Sequence, residues 1–379
     1  MIKTIAIDAS RANVENKTGV EWYAYRLIQE LKSIIPFDHK VILYTREPLR
    51  GELANLPALW ESRVLKWPPK VMWSQFRLAW ELFRRPPDLF FEPSHVVPFL
   101  FPKNTVNTMH DVAFARFPKA YTPWGLFYLI VTTVYAKLRG VQFIAVSEFS
   151  KRELLELFRI KPETISVVPL AQSLSGPAAD PDTTLAKYHI TKPFFLFVGR
   201  LETKKNLGRI VAAYKKCTEI LVTSYKLPVT QLPQLILVGK KGVGYENELA
   251  NFDLTKEPNI KILGYVPEPE VIALYQSATA FVFPSLYEGF GIPILEAMQN
   301  GCPVITSSIT SLPEIAGNAA SIVDPTSVDM IAIAMTKVAT DQQLHAELIR
   351  RGHLRAAEFS WRTTAEKTWN ILSKKLQSK

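Results

Sequence analysis

Two doubly wound α/β domains are the architecture this sequence predicts, and three observations carry the prediction. The chain has 379 residues, long for a single core. Short apolar runs rich in β-branched residues alternate with helical patterns from end to end, as parallel strands with helical crossovers require. The alternation lapses once, over residues 171–193, and then restarts; there "AQSLSGPAADPDTT" is small and polar and a short "LAKYHI" turn follows. The expected units are therefore residues 1–172, a linker over 173–192, a second domain over 193–360 and a terminal helix over 361–379. Ligands of such folds bind beyond the carboxyl ends of the strands, so the site is expected in a cleft between two facing domains.

The first strand is "TIAIDA" (4–9), within an opening that reads as a strand and not as a signal peptide. A helical pattern covers 19–33. "KVILYT" (40–45), "DLFFEP" (88–93), "TVNTMHD" (105–111), "VQFIAVS" (141–147) and "TISVVPL" (164–170) complete the first half. Its longest apolar run, "LFYLIVTTVYA" (126–136), is too short to span a bilayer. The second half repeats the scheme with "FFLFVG" (194–199), "QLILVG" (234–239), "NIKILG" (259–264), "TAFVFPS" (279–285), "PVIT" (303–306) and "SIVD" (321–324). "FSWRTTAEKTWNILSKKL" closes the chain as an amphipathic helix offering Trp361, Trp369 and Leu372 for packing on the first domain.

Lys and Arg outnumber Asp and Glu 45 to 35, a net charge of +10 that favours anionic partners or serves solubility alone. Cys217 and Cys302 are the only cysteines and stand in apolar settings, as reduced buried thiols do. "WESRVLKWPPKVMWSQFRLAWELFRR" (60–85) interleaves Trp60, Trp67, Trp73, Trp80, Phe76 and Phe83 with Arg63, Lys66, Lys70, Arg77, Arg84 and Arg85. That mixture suits an anionic membrane surface; helical spacing of Trp73, Phe76 and Trp80 suits ordinary core equally well. No nucleic-acid fold signature accompanies it, so nucleic acid is not an expected partner.

Four motifs could carry chemistry. "FVGRLETKKN" (197–206) ends a strand on Gly199 and sets Arg200, Lys204, Lys205 and Asn206 at a helix start, which is either an anion site or a solvated basic turn. "KTGVEWYAYRL" (17–27) puts Gly19 at another helix start, where it lets a ligand approach the backbone or simply makes a turn. "YEGFGIPILEAMQNG" (287–301) places Glu288 before Gly289, Phe290 and Gly291, and Glu296 inside the following helix. Carboxylates so placed accept paired hydrogen bonds from vicinal hydroxyls of a sugar or ribose; the alternative is a helix cap and a surface residue. "TMHDVAFARFP" (108–118) ends a strand on His110 and Asp111, a position that is catalytic or structural with equal weight. His39, His95, His189, His345 and His353 lack metal-ligand spacing, and no nucleophile elbow, Walker loop or G-x-G-x-x-G is present.

In order along the chain, these pieces resemble the retaining glycosyltransferases of family 4 (group 1), and within them the bacterial GDP-mannose-dependent mannosyltransferases. "FVGRLETKKNL", "GYVPEPEVIALYQSATAFVFPSLYEGFGIPILEAMQNGCPVITSS" and "SLPEIAG" are the strongest part of a resemblance that covers nearly the whole chain. It implies the GT-B fold, two Rossmann-like domains, with an acceptor-binding first domain and a nucleotide-sugar-binding second one. It implies donor contacts from Arg200 and Lys205 to the diphosphate, from Glu296 to the ribose, from Val266 to the base, and from Glu288, Gly289, Phe290 and Gly291 to the sugar. Gly19 matches the loop beside the diphosphate, and His110, with Glu288, would stand at the transferring sugar. A metal-independent hexosyl transfer is implied, with mannose from GDP-mannose as donor and no further cofactor. The acceptor would be a glycan or a polyprenyl-linked glycan in cell-envelope polysaccharide synthesis, handled in the cytoplasm or on the inner face of the plasma membrane. A UDP- or ADP-sugar donor, a nucleotide-sugar epimerase of the same shape, and a non-enzymatic membrane scaffold stay open as alternatives. Two departures from the family pattern are visible: the first-domain loop has one glycine where many members have two or more, and "VVP" is followed by "LAQ" without the usual glycine.

Overall fold

The computed structural model describes residues 2–15, 17–67, 71–174 and 176–377. The chain forms two compact units, Met1–Ser173 with Phe359–Lys379, and Leu174–Glu358.

Unit 1 is built on a parallel sheet of β1 (Lys3–Asp8), β2 (His39–Thr45), β3 (Trp60–Val64), β4 (Leu89–Glu92), β5 (Thr105–Met109), β6 (Gln142–Ala145) and β7 (Ile165–Val167), in the order β3-β2-β1-β4-β5-β6-β7. The strand order reverses between β1 and β4, the point where such sheets open a crevice. Helices cover both faces, so the central strands are buried throughout; β4 and β5 have no exposed position. α1 (Gly19–Ile34) starts with a capping box between Thr18 and Glu21. α2 (Ala79–Arg84) continues a π-helical turn at Ser74–Leu78, and the short α3 (Ala113–Arg116) follows β5. α4 (Pro123–Leu138) begins on the Thr122 side chain with Pro123 in its first turn, and α5 (Glu148–Phe158) is capped by Ser147.

The aromatic–basic stretch divides. Its first residues are strand β3, absent from the sequence-based expectation. Trp60 and Trp73 are buried, and the Trp73 indole donates to Leu65 O at 2.8 Å. Arg63, Arg77 and Arg85 converge on buried Glu81 at 3.0, 3.2 and 3.4 Å. These contacts tie Trp60, Trp73, Arg63 and Arg77 into the fold. Phe76, Trp80 and Phe83 remain exposed, and Lys70 lies outside the described residues.

Unit 2 repeats the theme with β8 (Phe194–Val198), β9 (Gln234–Val238), β10 (Ile260–Gly264), β11 (Ala280–Phe283), β12 (Val304–Ser307) and β13 (Ala320–Val323), all parallel, ordered β10-β9-β8-β11-β12-β13. All six strands fall on the runs named from the sequence. Its helices are α6 (Pro181–Lys187), α7 (Leu207–Thr223), α8 (Tyr245–Leu249), α9 (Glu268–Ser277), α10 (Ile292–Gln299), α11 (Leu312–Ala316), α12 (Val328–Thr340) and α13 (Gln342–Ala357). The stretch expected as a linker therefore contains a helix, α6, which starts on the Asp180 side chain and packs against α9; Lys187 and Tyr188 both bond Glu270. Cys217 and Cys302 are buried free thiols. α14 (Trp361–Gln377) returns to unit 1 and lies on α1, with Leu372 fully buried and the Trp361 indole donating to Gln172 O at 2.7 Å. Among the described residues no helix is long and apolar enough to cross a membrane.

Candidate functional site

The carboxyl edge of the unit 2 sheet gathers most of the polar residues singled out above. β8 and β9 leave the sheet through Gly199 and Gly239, which lie back to back. A Cβ on Gly239 would sit 1.8 Å from Gly199 O, so this crossing admits no side chain. The turn Thr203–Lys205 follows, then Asn206 in the left-handed region (φ 66°) at the start of α7. Buried Asn206 holds that strained position by donating to Pro284 O (3.0 Å) and Pro325 O (2.6 Å) and accepting from Arg209 (3.0 Å). It thereby fixes the α7 start against the segments that follow β11 and β13.

This brace sets the geometry of two charged groups from distant parts of the chain. The Lys205 ammonium bonds the Glu288 carboxylate and sits 5.3 Å from the centre of the Phe283 ring. Both side chains are nearly withdrawn from solvent, so the pair is weakly screened. Leu286 N donates to Lys204 O at 2.8 Å, tying the two loops at the backbone. Ser311, buried, shares its hydroxyl proton between Glu288 O and Phe290 O, 2.9 Å each, and so sets the path of the glycine loop. Gly291 enters α10 at φ 103°, where a Cβ would meet Leu312 at 2.7 Å.

Glu296, inside α10, is buried. It lies near Tyr275, whose hydroxyl is held protonated by burial first and by the Glu296 charge second. Arg200 is exposed and has no ion-pair partner among the described residues, and Val266 is buried in the turn between β10 and α9. The sequence reading missed three more polar groups: the hydroxyls of Ser285, Thr310 and Tyr275 are buried with no hydrogen-bond partner in the protein. Ser285 and Thr310 follow the ends of β11 and β12, and strand-end hydroxyl residues are the signal that could have marked them.

Gly19 and His110 belong to unit 1. A Cβ on Gly19 would meet nothing within 4 Å, so packing inside the unit does not demand a glycine there. His110 directly follows β5 and is buried, its Nε2 donating to Pro93 O at 3.0 Å and its ring 4.6 Å from that of Tyr23. Burial, and next the neighbouring His95, push its pKa down to about 3, so the imidazole is neutral.

Unit 1 also encloses a cavity of about 430 Å³ at the carboxyl ends of its strands, lined among others by Asp8, Arg46, Trp73, His95, Asp111 and Tyr128. Asp8 ends β1, and the register of Ile7 opposite Phe91 puts it beside Glu92, which ends β4. Burial raises the pKa of both carboxyl groups, and Glu92 is raised further by the Asp8 charge. Glu92 Oε2 is buried without a protein donor. Burial and mutual repulsion thus favour a proton on this carboxyl pair. Among the described residues no cluster of three His, Cys, Asp or Glu could hold a metal ion.

Comparison with known proteins shows the family of the chain. The model of "Glycosyl transferases group 1" matches residues 184–355, and that of "Glycosyltransferase Family 4" matches residues 17–171. The O-antigen chain mannosyltransferase B of Escherichia coli is 32% identical over 303 residues, 78% of this chain and 76% of that protein. The chain belongs to glycosyltransferase family 4. The serotype-specific mannosyltransferase WbdA of Escherichia coli is likewise 32% identical to this glycosyltransferase, over 198 residues, which are 51% of this chain but only 23% of WbdA. The crystal structure of Anabaena HepE in complex with UDP-glucose superimposes with a TM-score of 0.71 at 18% identity, over 99% of this chain and 100% of HepE. That likeness establishes the GT-B fold of this family 4 glycosyltransferase. The group 1 match spans the Lys205–Glu288 edge, and the family 4 match spans α1 and His110.

Proposed function

We propose that this glycosyltransferase moves mannose from GDP-mannose, with retention at the anomeric carbon, onto a glycan or polyprenyl-linked acceptor in cell-envelope polysaccharide synthesis. The observation that carries the donor assignment is the Lys205–Glu288 pair, braced by Asn206 and Ser311 at the carboxyl edge of a doubly wound sheet. Support for mannose comes from the two mannosyltransferases to which the chain is similar.

In this reading Lys205 and Arg200 meet the diphosphate, which takes the electron pair of the breaking C1–O bond. Fixed cations stabilise that charge without reorganising, and the low exposure of Lys205 strengthens its effect. The acceptor oxygen bonds C1, and its proton passes to the departing phosphate. Glu288, oriented by Lys205, takes the sugar hydroxyls through its remaining lone pairs, and Glu296 takes the ribose. Ser285 and Thr310 offer the further hydroxyls that such a polar ligand needs. Val266 presents backbone to the base, and Gly289, Phe290 and Gly291 present it to the sugar. Gly19 and His110 contribute from unit 1, with His110 acting as a neutral, positioned group and not as a cation. The chemistry proposed uses no metal.

The decisive experiment incubates the protein with GDP-mannose, UDP-glucose and ADP-glucose, with and without a mannose-terminated oligosaccharide, and resolves nucleotide release and product anomer. Acceptor-dependent GDP release with an α-linked product, unaffected by EDTA, is expected. Turnover of the UDP- or ADP-sugar alone overturns the donor assignment, and an altered sugar nucleotide without transfer would mark an epimerase. Arg200→Ala and Glu296→Ala should each weaken nucleoside diphosphate binding by roughly 2–3 kcal/mol, the scale of a charge-assisted bond. Unchanged affinity in both would remove these residues from the donor site.

A further inference from the structure

Two neighbouring strands of unit 2 end on side chains that the packing of the unit does not use. β9 leaves the sheet through Gly239 into Lys240, and β10 ends on Gly264 and passes into Tyr265. The two exits are joined at the backbone, where Gly239 N donates to Gly264 O at 2.8 Å. Val266 then turns inward and is buried, while Tyr265 turns outward and is 67% exposed. The Lys240 ammonium lies 5.2 Å from the centre of the Tyr265 ring. With that much of the residue in solvent, the ring stays open to a further partner.

The two successive lysines of this loop differ. Lys241 bonds Glu246 at 3.0 Å and covers the ring of Tyr245, so its charge is answered within the unit. Lys240 is exposed and has no ion-pair partner among the described residues. Its backbone is fixed all the same. Leu201 N donates to Lys240 O at 2.9 Å, and Gly242 N donates to Leu201 O at 2.7 Å. A Cβ on Gly242 would stand 3.0 Å from Arg200 Cγ, so the Lys240 loop packs directly on the Arg200 turn.

The sheet order lines these groups up. Along β10-β9-β8-β11 the strand ends are followed by Tyr265, Lys240, Arg200 with Lys205, and Glu288. A nucleotide sugar has its base at one end, its diphosphate in the middle and its sugar at the other end. With the diphosphate on Arg200 and Lys205 and the sugar on Glu288, the base falls beside β9 and β10.

We propose that Tyr265 and Lys240 select the nucleobase of the donor, the tyrosine ring stacking on the base and the ammonium donating to O6 and N7 of guanine. This inference rests on the donor assignment above and adds to it the side chains that read the base. Guanine presents two adjacent acceptors on that edge, which suit a cation, whereas adenine replaces O6 by an amino donor. Uracil offers one carbonyl there and a single ring to stack.

The test is calorimetric titration of the full chain with GDP, inosine diphosphate, ADP and UDP, in the parent, Lys240→Met and Tyr265→Leu. Inosine diphosphate keeps O6 and N7 and lacks only the exocyclic amino group. The parent should bind GDP and inosine diphosphate more tightly than ADP and UDP. Lys240→Met should weaken the first two alike by at least about fivefold, the scale of a specific base contact, and the other two by less than about twofold. Tyr265→Leu should weaken the three purine nucleotides more than UDP. Both side chains are exposed, so the melting temperatures without ligand should match the parent's. A parent that favours UDP or ADP overturns this inference together with the GDP-mannose assignment. A parent that favours GDP overturns this inference alone if Lys240→Met keeps the parent's selectivity or weakens all four nucleotides equally, because the ammonium then serves no base or only the diphosphate.

Discussion

At the scale of single residues, the carboxyl pair Asp8–Glu92 and the neutral His110 set opposite pH dependences. The folded pKa of Glu92 lies above its unfolded value, so the native state binds the extra proton and stability is lost as pH rises from about 4.5 through the folded pKa. His110 has a folded pKa of about 3, below the unfolded value of 6.5, so its contribution is full above pH 6.5 and is lost as pH falls toward 3. Stability should therefore peak in mildly acidic to neutral solution and decline on either side. Glu92→Gln can donate to Asp8 without a titrating proton. It should raise stability at pH 8 by about 1–2 kcal/mol and flatten the alkaline decline. Urea unfolding of parent and variant from pH 5 to pH 9 checks this, and equal slopes would mean that no proton is shared. The Glu288–Glu296 spacing and the cations at 200–205 were legible because each motif is contiguous in the sequence. Asp8–Glu92 was not, since only the β1–β4 pairing brings residues 8 and 92 together. The partner of Lys205 was equally invisible, because nothing local tells a diphosphate ligand from a carboxylate 83 positions away.

At the scale of elements, the β8–β9 crossing is the least forgiving point near the site. Gly239→Ala must drive its methyl group into the Gly199 carbonyl, at 1.8 Å, and no rotamer relieves a clash with backbone. A loss of at least about 3 kcal/mol in denaturant unfolding is expected, with nucleotide affinity falling alongside. A variant with the parent's stability and affinity would show that the two glycines do not approach so closely. Short apolar runs made the strands legible, and among the described residues twelve of thirteen fell where expected, the partly exposed edge strands β7, β10 and β13 included. β3 escaped because it is an edge strand whose "WESRV" carries polar residues, and its tryptophan was counted with an aromatic–basic cluster. α6 escaped because "ADPDTT" reads as linker by composition. Asp180 followed by Pro181 is nonetheless a helix start, a capping side chain before a proline at the first helical position.

At the scale of the molecule, ligand binding converts the donor assignment into a stability measurement. A ligand at one hundred times its dissociation constant stabilises by about 2.7 kcal/mol. At equal concentration GDP should raise the melting temperature more than UDP or ADP, and a larger shift with UDP would reverse the base assignment. The division into two α/β units was legible because the alternation of strands and helices breaks only once. The sheet orders and the cavity in unit 1 were not, because both arise from pairings between segments far apart in the chain.

The return of α14 to unit 1 has a consequence for synthesis. Unit 2 is one continuous segment, whereas unit 1 requires its last helix to cover α1 and to donate the Thr364 hydroxyl to Pro169 O at 2.8 Å. A ribosome working from the amino end thus completes the second unit while the first still lacks a wall. Until α14 is made, α1 lacks its cover and the first unit leaves an apolar seam open.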